Sequence, residues 1–232
     1  MKENEEGKAK IFPLGDSALT IEFGNEISAR LNNRVLNLAN FFTKNPFTGF
    51  VEIIPAYSSL TIFYDVLKVR ENFSEFATAF EAVKSFAENA LKNSDDSQVK
   101  ETRLIKIPVC FDREFSLDLD FVAASNNLTP EKVVEIFLGK TYSVFMLGFL
   151  PGFSYMGEVD KRIVTPRKNS PRTKVPKGSV GIAGKQTGIY SLASPGGWQI
   201  IGKTNIELFT PDADAPTFLR SGDSVKFYES KF

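Results

Sequence analysis

Gly178-Ser-Val-Gly-Ile-Ala-Gly-Lys-Gln-Thr-Gly-Ile-Tyr-Ser-Leu-Ala-Ser-Pro-Gly-Gly-Trp198 lies at the heart of the stretch that decides the fold. No segment of it keeps a 3.6-residue period. Short runs of β-formers alternate with glycine and proline instead. Ten of the 16 glycines fall between Gly148 and Gly202, together with five of the 12 prolines. Many short strands with frequent turn signals predict a compact all-β sandwich or barrel. Glycine at every third residue from Gly178 to Gly184 is not G-x-G-x-x-G, and no long helix follows, which argues against a dinucleotide fold.

Upstream of this stretch, Thr129-Pro130-Glu131 reads as a helix start, with Thr as N-cap and Pro in the first turn; the helix runs to about Leu138, where Gly139 stops it. Phe115 to Phe121 alternates, which puts Asp118 and Asp120 on a solvent face. Residues 92 to 101 are polar and have no apolar anchor, so they read as a linker between a domain at 1–100 and a domain at 101–232. Within the first domain, Ser17 to Phe23 alternates like a strand. Ile27, Leu31, Val35, Leu38 and Phe42 mark one helix face over Glu26 to Lys44. Phe50 to Ile54 and Ser59 to Tyr64 are strands, and Phe73 to Leu91 is a second helix. A strand at Arg103 to Val109 would complete a ferredoxin-like βαββαβ pattern. The expected fold class is thus an α+β, ferredoxin-like N-terminal domain followed by a mainly β barrel.

Composition narrows the function. Over 232 residues, 42% are hydrophobic, and Lys+Arg and Asp+Glu tie at 28 each, so neither a basic nucleic-acid coat nor an acidic tail is supported. Histidine is absent, which excludes Ser-His-Asp and Cys-His nucleophile systems and His-containing zinc sites within this chain. Cys110 stands alone and cannot form an intrachain disulfide, which fits a reducing compartment. No apolar leader opens the sequence, and the most apolar stretch, Tyr142 to Phe153, is too short to span a bilayer. A soluble cytoplasmic protein with no membrane or nucleic-acid partner and no resident metal is expected.

Charge segregates along the chain. Lys161 to Ile206 holds nine basic residues and no acidic one. Glycine-rich turns with free N–H groups beside such a segment suit an anion; the alternative is a solvated face balanced by the acidic N-terminal half. Tyr142, Phe145, Phe149, Phe153 and Tyr155 cluster around Gly148 and Pro151-Gly152, either as barrel core or as an apolar wall beside a small-molecule pocket. Gly197-Trp-Gln-Ile-Ile-Gly-Lys-Thr204 matches the P-loop pattern, but Trp-Gln-Ile-Ile reads as a strand and no helix follows. Ser97-x-x-Lys100 offers a formal Ser-Lys dyad and is set aside because it falls in the polar linker.

Several blocks then carry a resemblance: Phe145-Met-Leu-Gly-Phe-Leu-Pro-Gly-Phe-Ser-Tyr155, Thr165-Pro-Arg, Ser170-Pro-Arg, Val175-Pro-Lys-Gly-Ser-Val-Gly-Ile-Ala-Gly184, Gln186-Thr-Gly-Ile-Tyr190, Ser194-Pro-Gly-Gly-Trp198 and Ile201-Gly-Lys-Thr204. In this order they resemble the KipI family, the B subunits of 5-oxoprolinase, which is related to allophanate hydrolase subunit 1 and to carboxyltransferase subdomains C and D. The resemblance implies a cyclophilin-like barrel for the second domain. It implies cleavage of 5-oxo-L-proline to L-glutamate with hydrolysis of ATP, carried with magnesium, in a complex with subunits C and A. It also implies the family's second role, inhibition of a sensor histidine kinase. Two positions depart from the family pattern: Phe137 stands where a histidine is usual, and Lys203 where an arginine is usual.

Opening a lactam with ATP calls for groups that hold a carboxylate and a triphosphate. Arg167 and Arg172, each after a proline, are the expected anion contacts, converging on the barrel mouth near Gln186 and Ser194. Lys177 and Lys185 add charge. Turns at Gly152, Gly184 and Gly196-Gly197 supply backbone donors, and Gln186, Thr187 and Ser194 orient the lactam. Phe149, Pro151, Phe153, Tyr155, Tyr190 and Trp198 complete the expected site. No general base is evident, so the isolated chain is expected to be inactive and to work in a heteromeric complex.

Overall fold

The structure, a computed structural model, describes residues 9–93 and 102–232. The chain divides into two compact units, Met1–Lys100 and Glu101–Phe232. Ser97, Lys100 and most of the expected linker lie outside the described residues.

The first unit is one antiparallel sheet backed by helices. Its strands are β1 (Lys10–Pro13), β2 (Ala18–Glu22), β3 (Phe50–Pro55) and β4 (Ser59–Tyr64), in the order β1-β2-β4-β3. Alternation in β4 buries Leu60, Ile62 and Tyr64, and these join Leu19 and Ile21 of β2 in the core. The helix α1 (Ala29–Lys44) covers them with Leu31, Val35, Leu38 and Phe42, the face that its spacing predicts. Phe73 to Leu91 is not one helix. α2 (Val66–Asn72) ends at Phe73, and α3 (Ala79–Asn93) begins six residues later. A capping box sets that start: the Thr78 amide donates to Glu81 Oε2 at 3.0 Å, and the Glu81 amide donates to Thr78 Oγ1 at 3.1 Å. The intervening Phe73 packs edge-on to Phe86, which meets Phe47 in turn, so these rings close the core from a loop.

The ferredoxin-like expectation is not met as drawn. β5 (Leu104–Val109) exists, but it belongs to the second unit. The sheet edge it was to fill, beside β2, is taken by β1, which reaches it through a tight turn and needs no crossover.

The second unit is a seven-stranded sheet in the order β12-β9-β10-β7-β6-β13-β5. Its remaining strands are β6 (Thr141–Leu147), β7 (Ser154–Gly157), β9 (Ser179–Ala183), β10 (Gln186–Ile189), β12 (Gln199–Lys203) and β13 (Ser224–Glu229). β13 pairs with β5 in parallel, from Ser224 opposite Leu104 to Glu229 opposite Val109. The sheet curls until its edges touch: Cys110 and Lys203 exchange backbone hydrogen bonds of 2.8 and 2.9 Å. Val144, Met156, Val180, Ile182, Ile189, Ile201, Val225 and Phe227 fill the inside. Two helices seal it, α4 (Leu119–Ser125) and α5 (Pro130–Gly139), so the unit is mixed α/β with a curled half-barrel sheet. Thr129 caps α5 as expected, its hydroxyl accepting from the Lys132 amide. A short ribbon of β8 (Arg172–Val175) and β11 (Ser194–Gly196) lies apart from the main sheet.

Phe137 is fully buried, with its ring 5.0 Å from that of Phe227. The Tyr142 hydroxyl donates to the Phe137 carbonyl at 2.8 Å. In this chain the position is a core site.

Candidate functional site

The glycine-rich stretch builds a platform for aromatic rings. Val180, Ile182 and Ile189 point into the barrel, so Gly181 and Gly188 between them face the other side. They stand directly opposite each other in the β9–β10 pair. A Cβ at Gly188 would sit 2.9 Å from Phe153 Cζ and 3.1 Å from Trp198 Cζ3, and one at Gly181 would sit 3.1 Å from Trp198 Cβ. The strands lack side chains here because rings rest on them. Phe153 is the hub, edge-on to Tyr155 at 4.8 Å, to Tyr190 at 5.2 Å and to Trp198 at 5.4 Å. Phe149 adds its ring at 5.6 Å from Phe153 while remaining 61% exposed, on a backbone with φ of +66°. A bulky residue in the left-handed region is strained, and such strain collects at functional sites.

Arg167 is exposed, with its guanidinium 5.8 Å from the centre of the Trp198 ring. Burial raises the Tyr155 hydroxyl pKa, with Arg167 opposing. Burial raises Tyr190 too, against the opposing Trp198 backbone and Arg167. Both phenols therefore stay protonated at neutral pH.

Arg172 has different surroundings. Its fork closes on Asp118, Nη1 to Oδ2 at 2.8 Å and Nη2 to Oδ1 at 2.7 Å. Lys168 Nζ donates to the same Oδ1 at 3.0 Å, and the Ile200 amide to Oδ2 at 2.8 Å. Asp118 is only 5% exposed. Burial alone pushes its pKa up, but Arg172, the Ile200 amide and Lys168 outweigh it and hold the carboxyl below the usual range. This corrects the reading of Asp118 as a solvent-facing strand residue. It precedes α4, and its side chain makes no cap because the carboxylate is spent on the cations.

The remaining expected residues separate into several groups. Pro151 is exposed, and its carbonyl accepts from Ser191 Oγ at 2.6 Å. Gly152 has φ of +75°, and a Cβ there would sit 2.7 Å from the Leu208 carbonyl. Gly196 lies against the Tyr190 hydroxyl, and the Gly197 carbonyl accepts from the Lys168 amide at 2.7 Å. Thr187 is buried and donates to the Gly181 carbonyl. Gln186 is buried on β10 opposite Gly157, while Ser194 lies on the ribbon with its hydroxyl directed to the Pro195 carbonyl. Gly184 and Lys185 form the β9–β10 turn, with φ of +59° at Gly184. Lys177 is exposed and pairs with Glu207 at 2.7 Å. The P-loop-like residues form β12 and its approach, and the Lys203 ammonium lies 5.1 Å over the Phe115 ring, so no phosphate cradle exists there. A cleft of about 700 Å³ on the same unit is lined by Phe111, Leu119, Val134, Leu138 and several carboxylates, and none of the expected site residues reaches it. Among the described residues no cluster of acids or cysteine is arranged to hold a metal.

The α/β unit and curled sheet with its aromatic platform define a class. Residues 9–219 match the carboxyltransferase domain, subdomain C and D, and the chain belongs to that family. Within it, the chain is 48% identical to the 5-oxoprolinase B subunit of Bacillus subtilis (strain 168), over 94% of this chain and 91% of that protein. It is 37% identical to the 5-oxoprolinase B subunit of Escherichia coli O157:H7, over 97% of each. Among solved structures, TTHA0988 superposes with a TM-score of 0.79 at 33% identity; 93% of this chain is covered, and it spans 40% of that longer chain. No helix among the described residues is long and apolar enough to cross a membrane.

Proposed function

We propose that this chain is the B subunit of an ATP-dependent 5-oxoprolinase and that its aromatic–arginine platform binds 5-oxo-L-proline. The observation that carries the reading is the near full-length likeness to a 5-oxoprolinase B subunit at 48% identity. The platform's chemistry agrees with it. The substrate is a small flat lactam bearing one carboxylate; Phe149, exposed and seated against the buried Phe153, offers ring surface, and Arg167 offers a fork.

In the reaction, the lactam oxygen attacks the γ-phosphorus of ATP and ADP leaves. Water adds to the activated carbon, and the ring C–N bond breaks to free the amine and leave an acyl phosphate. A second water completes the carboxylate, giving L-glutamate, ADP and inorganic phosphate. ATP, with magnesium on its phosphates, is the co-substrate. The phosphate contacts and the general base come from subunits C and A, because both platform phenols stay protonated and the 197–204 stretch is strand. The isolated chain is therefore inactive and works in the cytoplasm as part of a complex. TTHA0988, where a chain of this fold continues into further sequence, is consistent with a companion domain.

The test is an ATP-dependent assay for glutamate release from 5-oxo-L-proline with subunits A and C, with this chain present and omitted. Turnover only with all three supports the reading; turnover by A and C alone overturns it.

A further inference from the structure

We propose that Asp118 is the positioning residue of the platform: it takes up Arg172 and Lys168 and thereby reserves Arg167, poised over Trp198, as the one guanidinium that meets the substrate carboxylate. The inference rests on the functional reading above and deepens it.

The loop from Pro166 to Arg172 carries three cations within six residues, all near the platform. Asp118 divides them. Its two oxygens accept four hydrogen bonds, three from Lys168 and Arg172 and one from the Ile200 amide. With two cations against one carboxylate, the cluster keeps a net charge of +1, yet the fork that reads carboxylate geometry is already occupied.

Arg167 stands between two fixed points. On one side, the Pro166 carbonyl accepts from Gln199 Nε2 at 2.9 Å. On the other, the Lys168 amide donates to the Gly197 carbonyl at 2.7 Å while its ammonium is held by Asp118. Both anchors flank Trp198 in sequence, so the segment carrying Arg167 is laced to the segment carrying its indole. Asp118 ties the same two segments, through Lys168 and Arg172 on one and the Ile200 amide on the other. Arg167 itself makes no ion pair among the described residues and remains exposed. An arginine whose backbone is fixed loses less entropy when its side chain binds.

Trp198 is the only tryptophan in the chain, so its emission reports on this platform alone. In the full chain, Asp118→Asn should raise acrylamide quenching of Trp198, which is 5% exposed in the intact fold, and Asp118→Glu should restore part of the protection. In the complex with subunits A and C, Asp118→Asn and Arg167→Gln should each raise KM for 5-oxo-L-proline about tenfold or more, the loss expected for a charged hydrogen bond. KM for ATP should stay unchanged. Arg172→Gln should raise quenching, as Asp118→Asn does, while the double variant Asp118→Asn/Arg172→Gln should be no worse in KM than Asp118→Asn alone. The proposal is overturned if Arg172→Gln raises KM and Arg167→Gln does not, or if Asp118→Asn leaves both quenching and KM at wild-type values. A wild-type complex that does not consume 5-oxo-L-proline refutes the functional reading instead; the quenching series then still decides whether Asp118 orders the platform.

Discussion

Replacing Asp118 by alanine removes the carboxylate that four donated hydrogen bonds converge on. It leaves Arg172 and Lys168, whose side chains are 23% and 30% exposed, facing each other without compensation. Breaking a buried pair by deleting one partner costs about 3–5 kcal/mol. The partial exposure of both cations lets water recover some of this, so the expected loss is about 3 kcal/mol at neutral pH. The pH dependence is the sharper test. The folded-state pKa of Asp118 is depressed, so its contribution is fully present above the unfolded value of about 3.9 and lost as pH falls through the folded value. Urea unfolding of wild type and Asp118→Ala, followed by Trp198 emission between about pH 7 and about pH 2.5, measures both quantities. The gap between the two proteins should be constant down to about pH 4 and then close. A gap below about 1 kcal/mol at neutral pH, or one that persists unchanged in acid, would refute the clamp.

Other consequences are open to measurement. Gly188→Ala should destabilise the second unit by about 1–3 kcal/mol and alter Trp198 emission, because its Cβ would press on Phe153 and Trp198; unchanged melting and emission would mean that the rings do not rest on the strand. Thr78→Ala should cost about 1 kcal/mol in chemical denaturation by removing half of the α3 capping box, with Glu81→Ala adding less than its own single effect. Tyr142→Phe should lose about 1 kcal/mol by leaving the buried Phe137 carbonyl unpaired, which thermal unfolding would detect. Phe149→Gly should relieve backbone strain at φ +66° and raise stability while weakening substrate use by the complex; equal stability and unchanged kinetics would remove Phe149 from the site.

The sequence is legible where spacing and packing agree locally. Four of the five apolar positions of Glu26 to Lys44 and the alternation of Ser59 to Tyr64 need no distant partner, and both elements form there, although the helix starts at Ala29 and leaves Ile27 before it. The start of α3 is masked because Phe73 and Phe76 satisfy a helical spacing, although Thr78-x-x-Glu81 carries the stronger boundary signal. The strand at 104–109 is visible, but its neighbour is not: β13 lies some 120 residues away and pairs in parallel, a relation no local pattern encodes. Glycine at every third residue from Gly178 to Gly184 reads as a strand with tight turns, and β9 does run between positive-φ glycines at 178 and 184, but spacing does not show that Gly181, with Gly188 opposite it, makes room for rings. Asp118 is hidden for the same reason as β13. Its partners lie 50 and 54 residues downstream, and alternation around Phe115 to Phe121 suggests an exposed acid. The one available hint is charge: Lys161 to Ile206 holds nine cations and no acid, so any ion pair there draws its carboxylate from elsewhere, as Arg162, Lys168, Arg172 and Lys177 do from Asp160, Asp118 and Glu207.

Steady-state release of L-glutamate from 5-oxo-L-proline, with ATP and subunits A and C, tests the central claim most directly when this chain is supplied as wild type, as Arg167→Gln or not at all. Turnover should require the chain, and Arg167→Gln should raise KM for 5-oxo-L-proline about tenfold with KM for ATP unchanged. Turnover without the chain, or wild-type kinetics with Arg167→Gln, would contradict it.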